Sequence, residues 1–214
     1  LDKYVPDRPV FIRRYDGHMA LANGKALALA GITAATPEVA GGEIYRKPGT
    51  KEPTGLLRDN AMGLVGRLVP PPDDETIAAA VQAALAELAK AGITSVQDMA
   101  GSDAATRMKL FRHFQKLKQS GQLTVRIRLN WPLAAWQSLA QLGVLVNLGD
   151  LWLAIGVFKD FIDGSLGSST AKMYEPFLNE PGNTGIYVTP RSKLLENIRA
   201  ADAAGLGVAV HAIG

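Results

Sequence analysis

The chain has 214 residues, 47% of them hydrophobic and 20% charged, with a net charge of +3. That balance belongs to a globular protein and excludes disorder, collagen and coiled coil. A small positive surplus without a recognisable module around it points away from nucleic acid, and the absence of cysteine excludes disulfide scaffolds, thiol catalysis and thiolate metal sites.

No apolar run reaches the ~18–20 residues of a membrane helix. The stretch Ala78 to Ala91 is interrupted by Gln82, Glu87 and Lys90. Leu1-Asp2-Lys3-Tyr4 is not the start of a signal peptide, so the expectation is a cytoplasmic protein with no membrane partner. The chain lacks an initiator Met and stops at Val210-His211-Ala212-Ile213-Gly214, just past an apolar strand. The expectation is an internal piece of a longer protein.

Two styles of sequence meet at Pro70-Pro71-Pro72, dividing the chain into residues 1–72 and 73–214. In the first, Pro9 to Arg13 reads as a strand and His18 to Ala30 as an Ala/Leu-rich helix closed by Gly31. Gly41 to Tyr45 and Thr54 to Leu57 read as short strands, with Lys47-Pro48-Gly49 as a turn between them. Such irregularity fits an α+β insertion or lid.

The second region has a rhythm. Asp73 or Asp74 caps a helix to about Ala91, Gly92 ends it, and Ile93 to Met99 follows as a strand. Ser102 caps the next helix, to about Ser120. Leu123 to Leu129 alternates apolar and polar residues, a strand by its period of two, and Leu133 to Leu142 reads as a helix. Trp152 to Phe161 is a strand. Thr189, with Pro190 behind it, caps a helix that Gly205 stops, and Val208 to His211 is the last strand. Strands near 96, 126, 157 and 209 alternating with helices imply βαβ units and a parallel sheet. The rhythm alone fits half of an eight-stranded barrel or a small open sheet.

In either architecture function gathers past the carboxyl ends of the strands. Four places qualify: Gln97-Asp98, Asn130-Trp131, Lys159 to Ser165, and His211. Lys159 follows the apolar run Ile155-Gly156-Val157-Phe158, and alternation puts Lys159, Phe161 and Asp163 on one face. A lysine buried there is costly unless paired, shifted in pKa or modified. An ion pair with Asp163 or Asp98 is the structural alternative. His211 closes a strand of small apolar residues and suits either a hydrogen-bonded core histidine or a metal ligand. His18, in Asp16-Gly17-His18, suits a cap or a substrate contact. His113 and the basic run Arg107 to Lys118 read as a solvated helix face. The glycines of Gly164 to Thr170 match neither Gly-x-Gly-x-x-Gly nor a Walker loop, and no Gly-x-Ser-x-Gly elbow is present.

Lys159-x-Phe161-x-Asp163-Gly164-Ser165-Leu166-Gly167-Ser168-x-Thr170-Ala171, followed by Val210 to Gly214, resembles the amidohydrolase superfamily. The nearest branch is amidohydrolase family 3, the group similar to N-substituted formamide deformylase. Arg14-x-Asp16-Gly17-His18 with Lys25-Ala26-Leu27, Pro53 to Arg58, and Gly92 to Asp98 match it in the same order. The resemblance implies a (β/α)8 TIM barrel that carries a small β-domain. This chain would supply about barrel strands two to five, preceded by the insertion. It implies hydrolysis of non-peptide, amide-like C–N bonds in a small molecule, with two divalent metals, usually zinc.

By the same resemblance Lys159 would be carboxylated and bridge the metals, and His211 would be a metal ligand at the fifth strand. His18 would face the substrate, and Asp163 and Thr170 would support the site. The remaining ligands and the general base would lie outside the segment, so the isolated chain is expected to be inactive. An open half-barrel is also expected to self-associate. Two other readings stay open: a non-catalytic binding domain in which Lys159 and His211 are structural, and a metal-free enzyme using Lys159 as a Schiff-base amine.

Overall fold

The computed structural model describes residues 1–99 and 103–214. It divides into two compact units: residues 1–70 with 161–191 and 211–214, and residues 71–160 with 192–210.

The first unit is built on an antiparallel sheet of β1 (Phe11–Arg13), β2 (Met19–Ala22), β3 (Gly42–Arg46) and β4 (Pro53–Asp59), in the order β1-β2-β4-β3. Its core is Ala20, Ala22, Ala26, Leu27, Ile32, Ile44, Leu57, Ala61, Met62 and Val65. The helix expected over His18 to Ala30 is only half present. Met19–Ala22 pairs with β1 on one side and β4 on the other, and α1 covers Gly24–Leu29. Two ladders outweigh the helix preference of alanine, which is worth less than ~1 kcal/mol per residue.

Asn23 makes the switch between them. Its buried Oδ1 caps α1 by accepting from Ala26 N and also accepts from Val10 N, while Nδ2 donates to the carbonyls of Val5 and Arg8. A short helix, α2 (Gly63–Gly66), follows β4.

The second unit begins with α3 (Asp74–Lys90), capped by Asp73 and buried along Ile77, Val81 and Leu85, a stripe of three residues spaced four apart. It continues through β5 (Ser95–Asp98), α4 (Ala104–Gln119), β6 (Arg126–Pro132), α5 (Trp136–Gln141), β7 (Leu153–Phe161), α6 (Arg191–Ala203) and β8 (Val208–His211). The cap proposed at Ser102 lies outside the described residues; Asp103 caps α4 by accepting from Thr106 N.

The sheet order is β5-β6-β7-β8, with β5, β6 and β7 parallel. Consecutive order is what a (β/α)8 barrel requires, whereas doubly wound sheets reverse order at a switch point. Among the described residues no helix is long and apolar enough to cross a membrane.

β6 starts three residues later than its alternation foretold and ends three residues later. The register shifts between Leu129 and Trp131 because the buried Asn130 turns its amide into the ladder. Asn130 Oδ1 accepts from Val157 N at 2.8 Å. Position 156 must then be glycine, since a Cβ there would lie 2.0 Å from Asn130 Oδ1.

The basic run on α4 is not all solvated. Arg107 is 2% exposed; it donates to Asp98 Oδ1, to the Asp98 carbonyl and twice to the Asn130 carbonyl. It ties the ends of β5 and β6 to α4, a role the charge pattern hid. His113, expected at the surface, is half-buried, with Nε2 enclosed and unpartnered among the described residues.

A candidate active site of two histidines and three aspartates

The site in the first unit starts at the β1–β2 turn. Asp16 Oδ1 accepts from His18 N at 3.0 Å, with Gly17 between them at φ 79°. Asp16 Oδ2 accepts from the hydroxyls of Ser165 (3.0 Å) and Ser168 (2.9 Å), and the Arg14 guanidinium donates to the Gly167 carbonyl. The turn thus grips the loop after β7. Burial opposes the charge on Asp16, but the His18 N–H, the two hydroxyls and Arg14 outweigh it and hold the carboxyl below its ordinary value. A loop whose hydroxyls already serve a carboxylate is no phosphate cradle.

His18 and Asp59 are joined twice. The Asp59 N–H donates to the His18 carbonyl at 3.0 Å, and His18 Nδ1 lies 2.6 Å from Asp59 Oδ1. That short bond raises the His18 pKa, with burial opposing it and the Asp59 charge helping. Asp59 is buried, sits at φ 45° where non-glycine residues are rare, and leaves Oδ2 enclosed without a hydrogen bond among the described residues.

Asp163 is 1% exposed. Its Oδ2 accepts from Lys172 N (2.9 Å) and Gly214 N (2.8 Å), and its Oδ1 from Ile213 N (3.0 Å). Burial works against its charge, yet these N–H groups and the nearby His211 keep the carboxyl below the usual range. Asp163 is therefore committed to fixing the backbone beyond β8. Thr170 Oγ1 accepts from Ser165 N at 3.1 Å and shapes the same loop.

His211 Nε2 lies 2.8 Å from the Gly164 carbonyl. A carbonyl only accepts, so Nε2 carries a proton, and the neutral form of the ring has its lone pair on Nδ1. The rings of His18, Phe161 and His211 cluster, with centroids 5.1 Å apart for the two histidines and 5.2 Å and 5.9 Å from Phe161 to His211 and His18.

Lys159 stands in the second unit on β7, half-buried, with Nζ donating to the Asp160 carbonyl at 3.3 Å. Burial pushes its ammonium below the usual lysine range, and the Asp160 charge pulls the other way. Of its two suggested ion-pair partners, Asp98 is bonded to Arg107 and Asp163 to backbone.

The chain matches the amidohydrolase family over residues 1–214. It belongs to that family. Protein LONG AFTER FAR-RED 3 of Arabidopsis thaliana is 40% identical across the whole chain, which covers 38% of that protein. N-substituted formamide deformylase of Arthrobacter pascens is 45% identical over 65 residues, 30% of this chain and 12% of that one. The crystal structure of an uncharacterized metal-dependent hydrolase from Pyrococcus horikoshii OT3 superposes with a TM-score of 0.67 at 28% identity, over 97% of this chain and 40% of that one. This amidohydrolase chain spans less than half the length of the curated relatives it matches end to end.

Among the described residues no three His, Cys, Asp or Glu side chains converge as a metal site. The donor chemistry of this amidohydrolase segment nevertheless suits a metal at His211. An imidazole whose far nitrogen is pinned by a carbonyl is oriented for ligation through the other one.

Sequence reasoning singled out His18, Asp163, Lys159 and His211. It passed over Asp59 and Arg107. Arg58-Asp59, a charged pair closing the run Gly55-Leu56-Leu57, was the available signal for the first.

Proposed function

We propose that the protein containing this chain is a metal-dependent hydrolase of amide-like, non-peptide C–N bonds in small molecules, with zinc as the metal. In this reading the second unit supplies barrel strands two to five. The observation that carries it is the pinned His211 ring, which frees Nδ1 for a metal in a chain of the amidohydrolase family. His211 is one ligand. Lys159 is a second, after its amine attacks CO2 to form an N–C bond and releases a proton, which turns a cation into an anionic oxygen donor that suits Zn2+.

A divalent metal supplies Lewis acidity, polarising the scissile carbonyl and acidifying water. The chain's own residues do the rest. The Gly164 carbonyl holds the His211 ring, Asp163 fixes the backbone behind it, and His18 meets the substrate. The 214-residue segment is inactive by itself and associates through the open edges of β5 and β8. Its span, under half of its relatives' length, supports the first point.

The test is elemental analysis of the full-length protein beside its Lys159→Ala and His211→Ala variants, together with turnover of N-butylformamide. The expected result is about two divalent metals per chain in the parent and a loss of at least one in each variant. Folded variants that keep the parent's metal content would overturn the assignment.

A further inference from the structure

We infer that Asp59 is the positioning residue for His18: it holds the imidazole with Nδ1 protonated, so that Nε2 is the nitrogen offered to substrate. The inference rests on the reaction proposed above, but its geometry stands apart from any metal. An ionised carboxylate only accepts hydrogen bonds, so at 2.6 Å from Asp59 Oδ1 the proton must sit on Nδ1. Nε2 carries no hydrogen bond among the described residues and is not one of the enclosed polar atoms. It is therefore the open edge of a ring that the neighbouring Phe161 and His211 rings pack against.

Three features separate this pair from a merely structural one. Asp59 adopts φ 45°, a costly conformation for a residue with a side chain. Its Oδ2 is enclosed without a hydrogen bond among the described residues, in a protein interior where such groups are rare. The backbone bond from Asp59 N to the His18 carbonyl already joins the two residues, so pairing alone does not explain a buried carboxylate. Orienting a histidine does: the second bond sets the ring plane and the tautomer, which the first cannot.

The experiment uses the full-length protein and the variants Asp59→Asn, His18→Gln and the double substitution, with N-butylformamide as probe. Asparagine matches aspartate in size and branching, so Asp59→Asn is the variant expected to fold. If Asp59 acts through His18, Asp59→Asn lowers kcat/KM by about 10–100-fold, the usual cost of losing an outer-shell orienting partner. The same change in the His18→Gln background then costs less than about threefold. Metal content stays at the parent value.

A second readout needs no turnover. The parent shows a far-downfield imidazole N–H proton by NMR that vanishes in both single variants. Equal losses in the two backgrounds, or no such proton in the parent, would overturn the inference. A parent that shows the proton but does not turn over the probe would overturn the reaction while leaving the His18–Asp59 pair intact.

Discussion

His18 and His211 lie with ring centroids 5.1 Å apart, yet they are pinned through opposite nitrogens, Nδ1 to Asp59 and Nε2 to the Gly164 carbonyl. In their neutral forms the two neighbouring imidazoles are therefore set to complementary tautomers. One keeps Nε2 open and the other Nδ1, so they are not interchangeable as ligands or as hydrogen-bonding groups. The division of labour comes from backbone and carboxylate placement, not from anything in the histidines themselves.

Gly164 is the point where both pins meet. A Cβ there would sit 1.9 Å from Thr170 Oγ1 and 2.9 Å from Asp59 Oδ2. Gly164→Ala must therefore push the loop away and take the His211 acceptor with it. We expect a loss of about 1–3 kcal/mol, the usual cost of overpacking, together with loss of metal from the full-length protein. Gly63, which has nothing near its Cβ position, is the control: Gly63→Ala should leave both unchanged. Urea midpoints and elemental analysis read the two effects.

Arg107 is a stability prediction in the other unit. Its guanidinium is buried against Asp98 and the Asn130 carbonyl, so Arg107→Ala strips an enclosed carbonyl of its donors and a carboxylate of its partner. Roughly 2–4 kcal/mol should be lost. Arg112→Ala, on an exposed position of the same helix, should cost under about 0.5 kcal/mol. A similar urea midpoint for the two variants would show that the strap contributes nothing.

These two residues also show what the sequence could and could not say. The βα rhythm, an acidic cap at Asp73 or Asp74 and the four strand positions were legible because period and capping are local. The Lys159 and His211 candidates were legible because polar residues ending apolar strands stand out. Arg107 was not, because burial of one cation in a basic run depends on which carbonyls the fold brings beneath it. Asp59 was not, because its importance arises from a residue 41 positions away. The strand Met19–Ala22 was misread as helix because two-sided ladder pairing is non-local and overrides the propensity of alanine.

Acid should weaken the first unit through Glu180. The hydrogen bonds from Arg58, opposed by burial, hold its carboxyl at about 2 against an ordinary 4.5. A carboxylate whose pKa is depressed on folding contributes stability that is fully present above pH ~4.5 and lost as pH falls towards ~2. Asp16 and Asp163, also held low, act in the same direction. Glu180→Gln should therefore be less stable than the parent at pH 6, and the difference should shrink by pH 3. A gap between urea midpoints that stays constant from pH 6 to pH 3 would mean that the Arg58–Glu180 pair is not what responds.

The carbamate proposed at Lys159 would make metal uptake depend on dissolved CO2. A carbamate forms only from the neutral amine, and burial favours that form at Lys159. Full-length protein stripped of metal at low pH, where carbamates revert to amine and CO2, should regain metal slowly in degassed buffer and fully when bicarbonate is added. Lys159→Ala should bind less metal and show no response to bicarbonate, because it has no amine to carboxylate. If the parent recovers its metal equally well in both buffers, Lys159 binds no metal through a carbamate. A merely structural lysine would predict the same indifference, so this comparison separates the two readings.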